Sequence, residues 1–362
     1  MSARRFCIIL LALISAGTLG VYLCGLNLRP DRLIAPEDYL ANLRENTEFG
    51  VASFLDQRAE VLVLGDSHSY AAFDFNALAE GLGTRSISSC ALGGAYTATI
   101  PFVARVMREE RYSPRIIIYG ASLRQFLYGQ NREAQLREHE RMLQAARRPS
   151  LRTAAGNLLR YGQHRLTGQT GYTRSWDADQ RAQAFHAPLV AQLRAQQPGR
   201  KVLGSGLPAL AAWDKVIASA RIAAGTQADM QALCALAHEA GAELHVVVVP
   251  ESPLLEGSYP RALRDEFHAR LALLAACATS LTALPAGAYG LGDEHFVNRS
   301  MAMHYDYVKW GSEGFVPGPG DFDPDHMNLV GAQLFSNIAV QRIHGASMQQ
   351  HSQGTPAQGA KQ

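Results

Sequence analysis

The sequence of 362 residues predicts an α/β fold, a three-layer α/β/α arrangement in which helices cover both faces of a parallel β-sheet. Apolar runs rich in Val, Ile and Leu alternate along the chain with segments of helical periodicity. Such uninterrupted apolar runs are typical of parallel strands that are buried on both faces. Because ligands of these sheets bind beyond the carboxyl ends of the strands, the turns that follow the runs are the first places to search for functional residues.

The predicted elements follow one another in the order strand, helix, strand, helix. The predicted strands cover residues 59–64, 85–92, 115–119 and 243–249. The predicted helices cover residues 73–82, 97–110, 209–240 and 261–278, and a last helix at 328–343 closes the domain. The domain is therefore expected at 59–344, and residues 345–362, rich in Gln, Ser, Gly and Ala, are expected to be disordered.

A long segment at about 130–205 interrupts this alternation, and we predict a helical insertion there because it far exceeds a usual α/β connection. Residues 131–200 contain twelve Arg against five Asp or Glu. This bias favours either binding of anionic glycans or lipid headgroups, or an ordinary solvated helical face.

The N-terminus has the features of a membrane anchor. Arg4 and Arg5 precede an uncharged, mostly apolar run from Phe6 to Leu26, which as a helix would be about 31 Å long. The preceding basic residues favour an orientation with the N-terminus in the cytoplasm. We therefore expect a transmembrane signal-anchor at 1–26, a connector at 27–58, and the α/β domain in the periplasm of a bacterium, held at the inner membrane. A cleaved signal peptide is the alternative.

Composition excludes several classes of function. An apolar fraction of 47% is enough for a large core, and the formal charge of +2 without a basic block makes nucleic acid an improbable partner. Beyond the apolar run lie Cys90, Cys234 and Cys277, which allow one disulfide at most and are expected to be buried as small hydrophobic residues. Their spacing matches no metal or redox motif, so we expect neither a metal nor a cofactor.

The first chemical motif is Gly65-Asp66-Ser67, directly after the first predicted strand. A serine in this tight turn is placed at the carboxyl edge of the sheet, where it can attack a bound ligand. Gly65 permits the sharp turn, and the amide of Ser67 can face a developing oxyanion. His68 follows, but neighbouring side chains in a tight turn usually diverge, so we do not include it in the predicted triad.

The second motif lies just before the last predicted helix, where Asp323 and His326 are separated by two residues. A histidine can accept the serine proton when its ring is oriented and its imidazolium stabilised, and a nearby carboxylate does both. The sequence therefore predicts Ser67 as nucleophile, His326 as general base and Asp323 as the orienting carboxylate.

Together the Gly-Asp-Ser turn and the Asp-x-x-His motif resemble the SGNH, or GDSL-type, hydrolases over roughly residues 59–343. The resemblance implies a flavodoxin-like sheet and an oxyanion hole to which Gly93 or Gly94 contributes an amide. At the family's third block, usually Gly-x-Asn, this chain has Gly120-Ala121-Ser122, so Ser122 stands where an asparagine would donate. The anchor and the insertion look closest to membrane-anchored envelope O-acyltransferase proteins, namely those of D-alanyl transfer to teichoic acid and of exopolysaccharide acetylation.

This resemblance implies a periplasmic O-acyltransferase that moves an acyl group, typically acetyl, onto an envelope or extracellular polysaccharide through an acyl-serine. Its implied partners are a multipass membrane acyltransferase and a glycan acceptor. Two alternatives remain open: an esterase that deacylates envelope glycans or lipids with the same residues, and a non-catalytic binding or assembly protein of the same fold.

Overall fold

The computed structural model describes residues 9–10, 13–20, 23, 40, 43, 54–55, 58–129, 132–147, 217–296, 325–327 and 329–353. Within these ranges the fold is α/β, with one five-stranded, all-parallel sheet. The strands are β1 (Val61–Asp66), β2 (Ile87–Leu92), β3 (Ile116–Ala121), β4 (Glu243–Val248) and β5 (Ser280–Thr282). The helices are α1 (Ser67–Ala72), α2 (Phe75–Leu82), α3 (Thr99–Glu110), α4 (Leu123–Phe126), α5 (Arg132–Arg147), α6 (Thr226–Ala240), α7 (Pro253–Glu256), α8 (Arg261–Ala272) and α9 (Leu329–Gln353).

The strand order is β2-β1-β3-β4-β5. After β1 the chain adds β2 on one side, and it then adds β3, β4 and β5 on the other side, so the order in which strands are added reverses between β1 and β3. These two strands are paired in parallel from Val61 opposite Ile116 to Leu64 opposite Tyr119. In open parallel sheets the crevice for ligands forms at this reversal, beyond the carboxyl ends of the strands. Ser67 follows β1 and Ser122 follows β3, so both lie at that crevice.

Each central strand sends alternate side chains into two separate cores. Val61 and Val63 pack on the face covered by α2 and α9. Leu62 and Leu64 pack on the opposite face, covered by α3, α6 and α8. A strand that is apolar at every position can satisfy both faces, which explains the uninterrupted apolar runs in the sequence.

Most predicted elements are confirmed, and the differences have local causes. Strand β5 was not predicted because Ser280–Thr282 is short and has no apolar run. The helix predicted at 209–240 is interrupted within the described residues: 217–218 are helical, 219–225 are not, and α6 begins at Thr226 after Gly225 in the cap position. The predicted insertion opens with α5, and residues 148–216 lie outside the described residues.

The last helix is longer than predicted and runs into the segment that was expected to be disordered. Helix α9 continues to Gln353, ten residues past the predicted end at 343. The sequence Ala346-Ser347-Met348-Gln349-Gln350 contains neither Gly nor Pro, and Ala, Met and Gln are good helix formers, so nothing in it ends the helix. Residues 354–362 lie outside the described residues.

Only part of the N-terminal region is described. Residues 13–20 are helical, and Leu13, Ile14 and Leu19 are each more than half exposed. In the part of the chain that the structure describes, no helix is both long and apolar enough to cross a membrane. Leu40 and Leu43, in the predicted connector, are buried in the core on the α9 side, so the packed unit includes side chains from before residue 59.

The cysteines differ from the expectation in one respect. Cys234 on α6 and Cys277 form a disulfide with a Cα–Cα distance of 5.6 Å, so their predicted role as buried thiols is wrong. Cys90 in β2 is confirmed as a buried thiol, and burial raises its pKa to about 12.

Candidate active site

The turn after β1 is shaped by close contact with β3. Gly65 has φ +154°, and a Cβ atom there would lie 1.9 Å from Ser69 Oγ and 2.8 Å from the carbonyl oxygen of Gly120. Ser69 Oγ also donates a hydrogen bond of 2.8 Å to that carbonyl. Only glycine fits this position, and the contact places the start of α1 beside the carboxyl end of β3.

Asp66 caps the helix that begins with Ser67. Its Oδ1 accepts hydrogen bonds from the amides of His68 (3.0 Å) and Ser69 (3.3 Å), as N-cap residues do. Its other oxygen, Oδ2, lies 2.8 Å from His68 Nδ1 and accepts a 2.7 Å hydrogen bond from Ser122 Oγ. One buried carboxylate therefore fixes the helix start and the ring of His68 at once.

The C-terminal motif reaches the same place. Asp325 Oδ2 lies 3.0 Å from His68 Nε2, and Asp325 Oδ1 lies 3.0 Å from His326 Nδ1. The rings of His68 and His326 are stacked with centroids 4.8 Å apart. Arg124 at the start of α4 forms an ion pair with Asp325. His326 of the second motif thus lies beside the turn that carries Ser67, at the carboxyl edge of β1 and β3.

Ser67 is the first residue of α1 and is partly buried. Its hydroxyl has no hydrogen-bond partner among the residues that the structure describes. Its neighbour His68 carries the ring that stacks on His326, so the predicted nucleophile and the predicted base belong to adjoining segments. Asp323, the predicted orienting carboxylate, lies outside the described residues; the described carboxylate on His326 is Asp325.

Ser122 does not have the environment that its predicted role requires. It is fully buried, its hydroxyl proton goes to Asp66 Oδ2, and its oxygen faces the amide of Gln125 at 3.3 Å as the cap of α4. A hydroxyl has one proton to donate, so this one is not available to a substrate oxyanion. In this structure the hydroxyl of Ser122 therefore supports Asp66, and its predicted role at the oxyanion site is tested by Ser122→Ala.

Gly93 and Gly94 are exposed in the turn after β2, which is closed by a hydrogen bond of 3.0 Å from the amide of Ala95 to the carbonyl of Leu92. Helix α5, the start of the predicted insertion, packs against this turn. His139 Nε2 lies 3.1 Å from the carbonyl oxygen of Gly93, and the side chain of Gln135 lies beside Gly94. The insertion therefore holds the loop that carries the predicted oxyanion amides.

The charges of the cluster stabilise one another. Burial alone would lower the pKa of His68, but Asp66 and Asp325 outweigh burial and raise it to about 9. Burial would raise the pKa of Asp66, yet the nearby charge of His68 and the hydrogen bonds from His68 and Ser122 hold it below its usual value. At neutral pH, His68 is therefore an imidazolium between two carboxylates.

A further carboxyl group lies close by. Glu251 follows β4, is 6% exposed, and its Oε1 accepts no hydrogen bond from any residue that the structure describes. Burial raises the pKa of Glu251 to about 8. The charge of His68 lowers this pKa and the charge of Asp325 raises it, both by less than burial does. Glu251 is therefore mostly protonated at neutral pH, next to a site built from ionised groups.

A metal ion is a second chemistry that these residues could support. One ligand atom each from His68, Asp325 and His326 lie within 4.8 Å of one another, and two histidines with a carboxylate are a common ligand set. One feature opposes it: Arg124 is paired with Asp325, so a metal ion there would have to compete with the guanidinium for that carboxylate.

Sequence reasoning missed five groups of this cluster: Asp66, His68, Arg124, Glu251 and Asp325. One signal was available, because an acidic residue two positions before a histidine at a helix start can both cap the helix and pair with the ring.

The comparisons with known proteins add no relative: no family model and no curated protein matches the chain.

Proposed function

We propose that the protein is a serine-dependent O-acyltransferase of SGNH type that acts on an envelope polysaccharide and uses Ser67 as its nucleophile. The observation that carries this proposal is the meeting of the two motifs: Ser67 begins α1 directly after β1, and the ring of the next residue stacks on His326 at 4.8 Å. The strand order of the sheet supports the proposed fold family, since 2-1-3-4-5 is the flavodoxin-like order.

In the proposed reaction, His326 takes the proton of Ser67 while the serine oxygen attacks the carbonyl carbon of the acyl donor. Asp325 next to Nδ1 favours the tautomer with its proton on Nδ1 and its lone pair on Nε2, the nitrogen that accepts the serine proton. Collapse of the tetrahedral intermediate breaks the bond to the leaving group, which receives that proton. A glycan hydroxyl then attacks the acyl-serine, His326 takes its proton, and Ser67 leaves with a proton from the imidazolium.

The oxyanion of the intermediate needs donors other than Ser122. The amide of Ser67 at the start of α1 and the amide of Gly93 or Gly94 are the proposed donors. Ser122 enters this scheme indirectly, through its hydrogen bond to Asp66.

Two observations support an envelope location. The Cys234–Cys277 disulfide is of a kind that persists in oxidising compartments such as the periplasm. Leu13, Ile14 and Leu19 expose large apolar side chains near the N-terminus, as residues facing lipid do. A membrane anchor would keep the site near a membrane-delivered acyl donor and raise the effective concentration of that donor.

Acyl transfer and hydrolysis differ only in the acceptor, so the test must measure both. The full-length protein is incubated with an activated acetyl ester, with and without polysaccharide acceptor, and acyl-serine and acetylated glycan are followed by mass spectrometry. Ser67→Ala removes the proposed nucleophile. Ser86→Ala is the matched control, because Ser86 lies just before the amino end of β2, at the opposite edge of the sheet.

Acetylated glycan that depends on Ser67 supports transfer, and acetate released to water at the same rate with or without acceptor supports the esterase instead. Equal behaviour of the wild type and Ser67→Ala would leave the non-catalytic binding protein as the remaining function.

A further inference from the structure

His68 lies between two carboxylates and has no exposed side-chain surface. Nδ1 is 2.8 Å from Asp66 Oδ2 and Nε2 is 3.0 Å from Asp325 Oδ2. The contact at Nδ1 is a hydrogen bond, whereas the contact at Nε2 is an ion-pair distance without hydrogen-bond geometry. Two carboxylates this close favour the charged imidazolium, and a ring that keeps its proton is a poor proton acceptor.

The two carboxylates belong to different parts of the fold. Asp66 is fixed at the end of β1 by the amides of α1 and by Ser122. Asp325 comes from the segment that leads into α9, and it also contacts Arg124 and His326. His68 is thus the ionic connection between the turn that carries Ser67 and the segment that carries His326. We call this connection the Asp66–His68–Asp325 bridge.

The bridge also determines how the ring of His326 is held. One oxygen of Asp325 faces His68 and the other faces His326, so the position of the carboxylate between them sets the orientation of both rings. Stacking of the two rings at 4.8 Å leaves His326 little freedom to tilt. A loss of charge on His68 would remove one of the forces that hold Asp325, and the ring of His326 would lose its alignment.

We propose that His68 is a positioning residue whose charged ring holds Asp325, and through Asp325 the ring of His326, in register with Ser67. This inference rests on the proposed function, because it assigns His68 a role in the reaction of Ser67. It also separates two histidines in contact: His326 exchanges protons during the reaction, and His68 keeps its proton throughout.

A consequence is a loss of activity at alkaline pH. The groups that face His68 are Asp66, Asp325, His326 and, through their charges, Arg124 and Glu251. The pKa of His68 is raised to about 9, so the bridge is intact below that pH and is lost as the pH rises through it. Ionisation of Glu251, whose pKa is about 8, adds a negative charge near His68 and favours its protonated form.

The test compares His68→Asn in the full-length chain with a control of equal burial. His245→Asn serves as that control, because His245 is a fully buried histidine of β4 whose Nδ1 lies 2.8 Å from Ser280 Oγ, away from the cluster. The rate of acylation of Ser67 by the activated ester is measured from about pH 6 to about pH 10, and thermal unfolding is measured for each variant.

We expect His68→Asn to lower kcat by about a hundredfold with little change in KM, as for a catalytic group displaced by about 1 Å. We also expect the alkaline limb near pH 9 to disappear in this variant, while His245→Asn keeps both the rate and the limb. The inference is overturned if His68→Asn loses no more rate than an equally destabilised His245→Asn and still shows the fall in rate near pH 9.

A second readout does not depend on activity. Side-chain ¹⁵N NMR of histidine, with the signal of His68 assigned by its loss in His68→Asn, should show a charged ring at neutral pH that loses its proton near pH 9. A neutral His68 at pH 7, or a stoichiometric metal ion that His68→Asn removes, refutes the bridge. Acylation that persists in Ser67→Ala refutes the proposed function instead, and with it the catalytic role of His68, even where NMR shows the charged ring.

Discussion

Glu251→Gln tests whether the site contains a neutral carboxylic acid. Burial raises the pKa of Glu251 from 4.5 to about 8. Between pH 4.5 and pH 8, the folded protein therefore keeps a proton on Glu251 that the unfolded chain releases. Stability from this group is fully present below pH 4.5 and is lost as the pH rises through 8, because the native state binds more protons. Each pH unit in this window changes the free energy of unfolding by about 1.4 kcal/mol.

Gln has nearly the same shape and cannot ionise, so it removes this pH dependence and little else. Urea unfolding of wild type and Glu251→Gln is measured at about pH 5.5 and about pH 7.5, and the difference between the proteins should shift by about 3 kcal/mol in favour of Gln at the higher pH. Subtracting one protein from the other cancels other titrating groups that the substitution leaves unchanged. A shift below about 0.5 kcal/mol would show that Glu251 is ionised in the folded protein, and the reasoning from burial would be wrong.

Three further predictions concern the surroundings of the cluster. Gly65→Ala should destabilise the fold by about 3 kcal/mol or more in urea unfolding, because its Cβ would collide with the turn, while Gly83→Ala, with positive φ but no atom within 4 Å, should lose about 1 to 2 kcal/mol. Ser122→Ala should lower the thermal stability by about 1 to 3 kcal/mol through loss of the bond to Asp66; a fall in acylation rate with unchanged stability would restore Ser122 as an oxyanion donor. Cys234→Ser should lower the free energy of unfolding under oxidising conditions by about 4 kcal/mol, the value that the chain-entropy model gives for a sequence separation of 43. If reduction of the disulfide does not destabilise the wild type, this prediction is wrong.

Local sequence was sufficient to predict the central strands and the position of Ser67. Strands β1 to β4 are buried on both faces, so each carries apolar residues on both faces and few strongly polar ones, a pattern that is visible without knowledge of its neighbours. Strand β5 lies at the edge of the sheet and has three residues, of which Leu281 is partly exposed, so it has no such pattern. The disulfide was not predicted because pairing depends on the packing of α6 against the segment after α8, which spacing along the chain does not report.

The role of His68 was missed for a geometric reason. Neighbouring side chains in a tight turn diverge, and that rule led to the exclusion of His68. Here the chain does not continue as a turn: α1 begins at Ser67, and Asp66 as its N-cap holds both the amide and the ring of His68. The side chain that diverges from Ser67 is directed into the fold, where it meets Asp325.

The ionisation of the cluster depends on all of its members together, which is why no single motif predicts it. Asp66 and Asp325 carry two negative charges, His68 and Arg124 carry two positive charges, and Glu251 at neutral pH adds none. Burying ions is unfavourable unless each has an opposite partner, and these four form a connected chain of ion pairs. Removing one charge from that chain leaves another without a full partner, so neutralising His68 or Asp325 should destabilise the fold more than neutralising Glu251, which enters the cluster already uncharged.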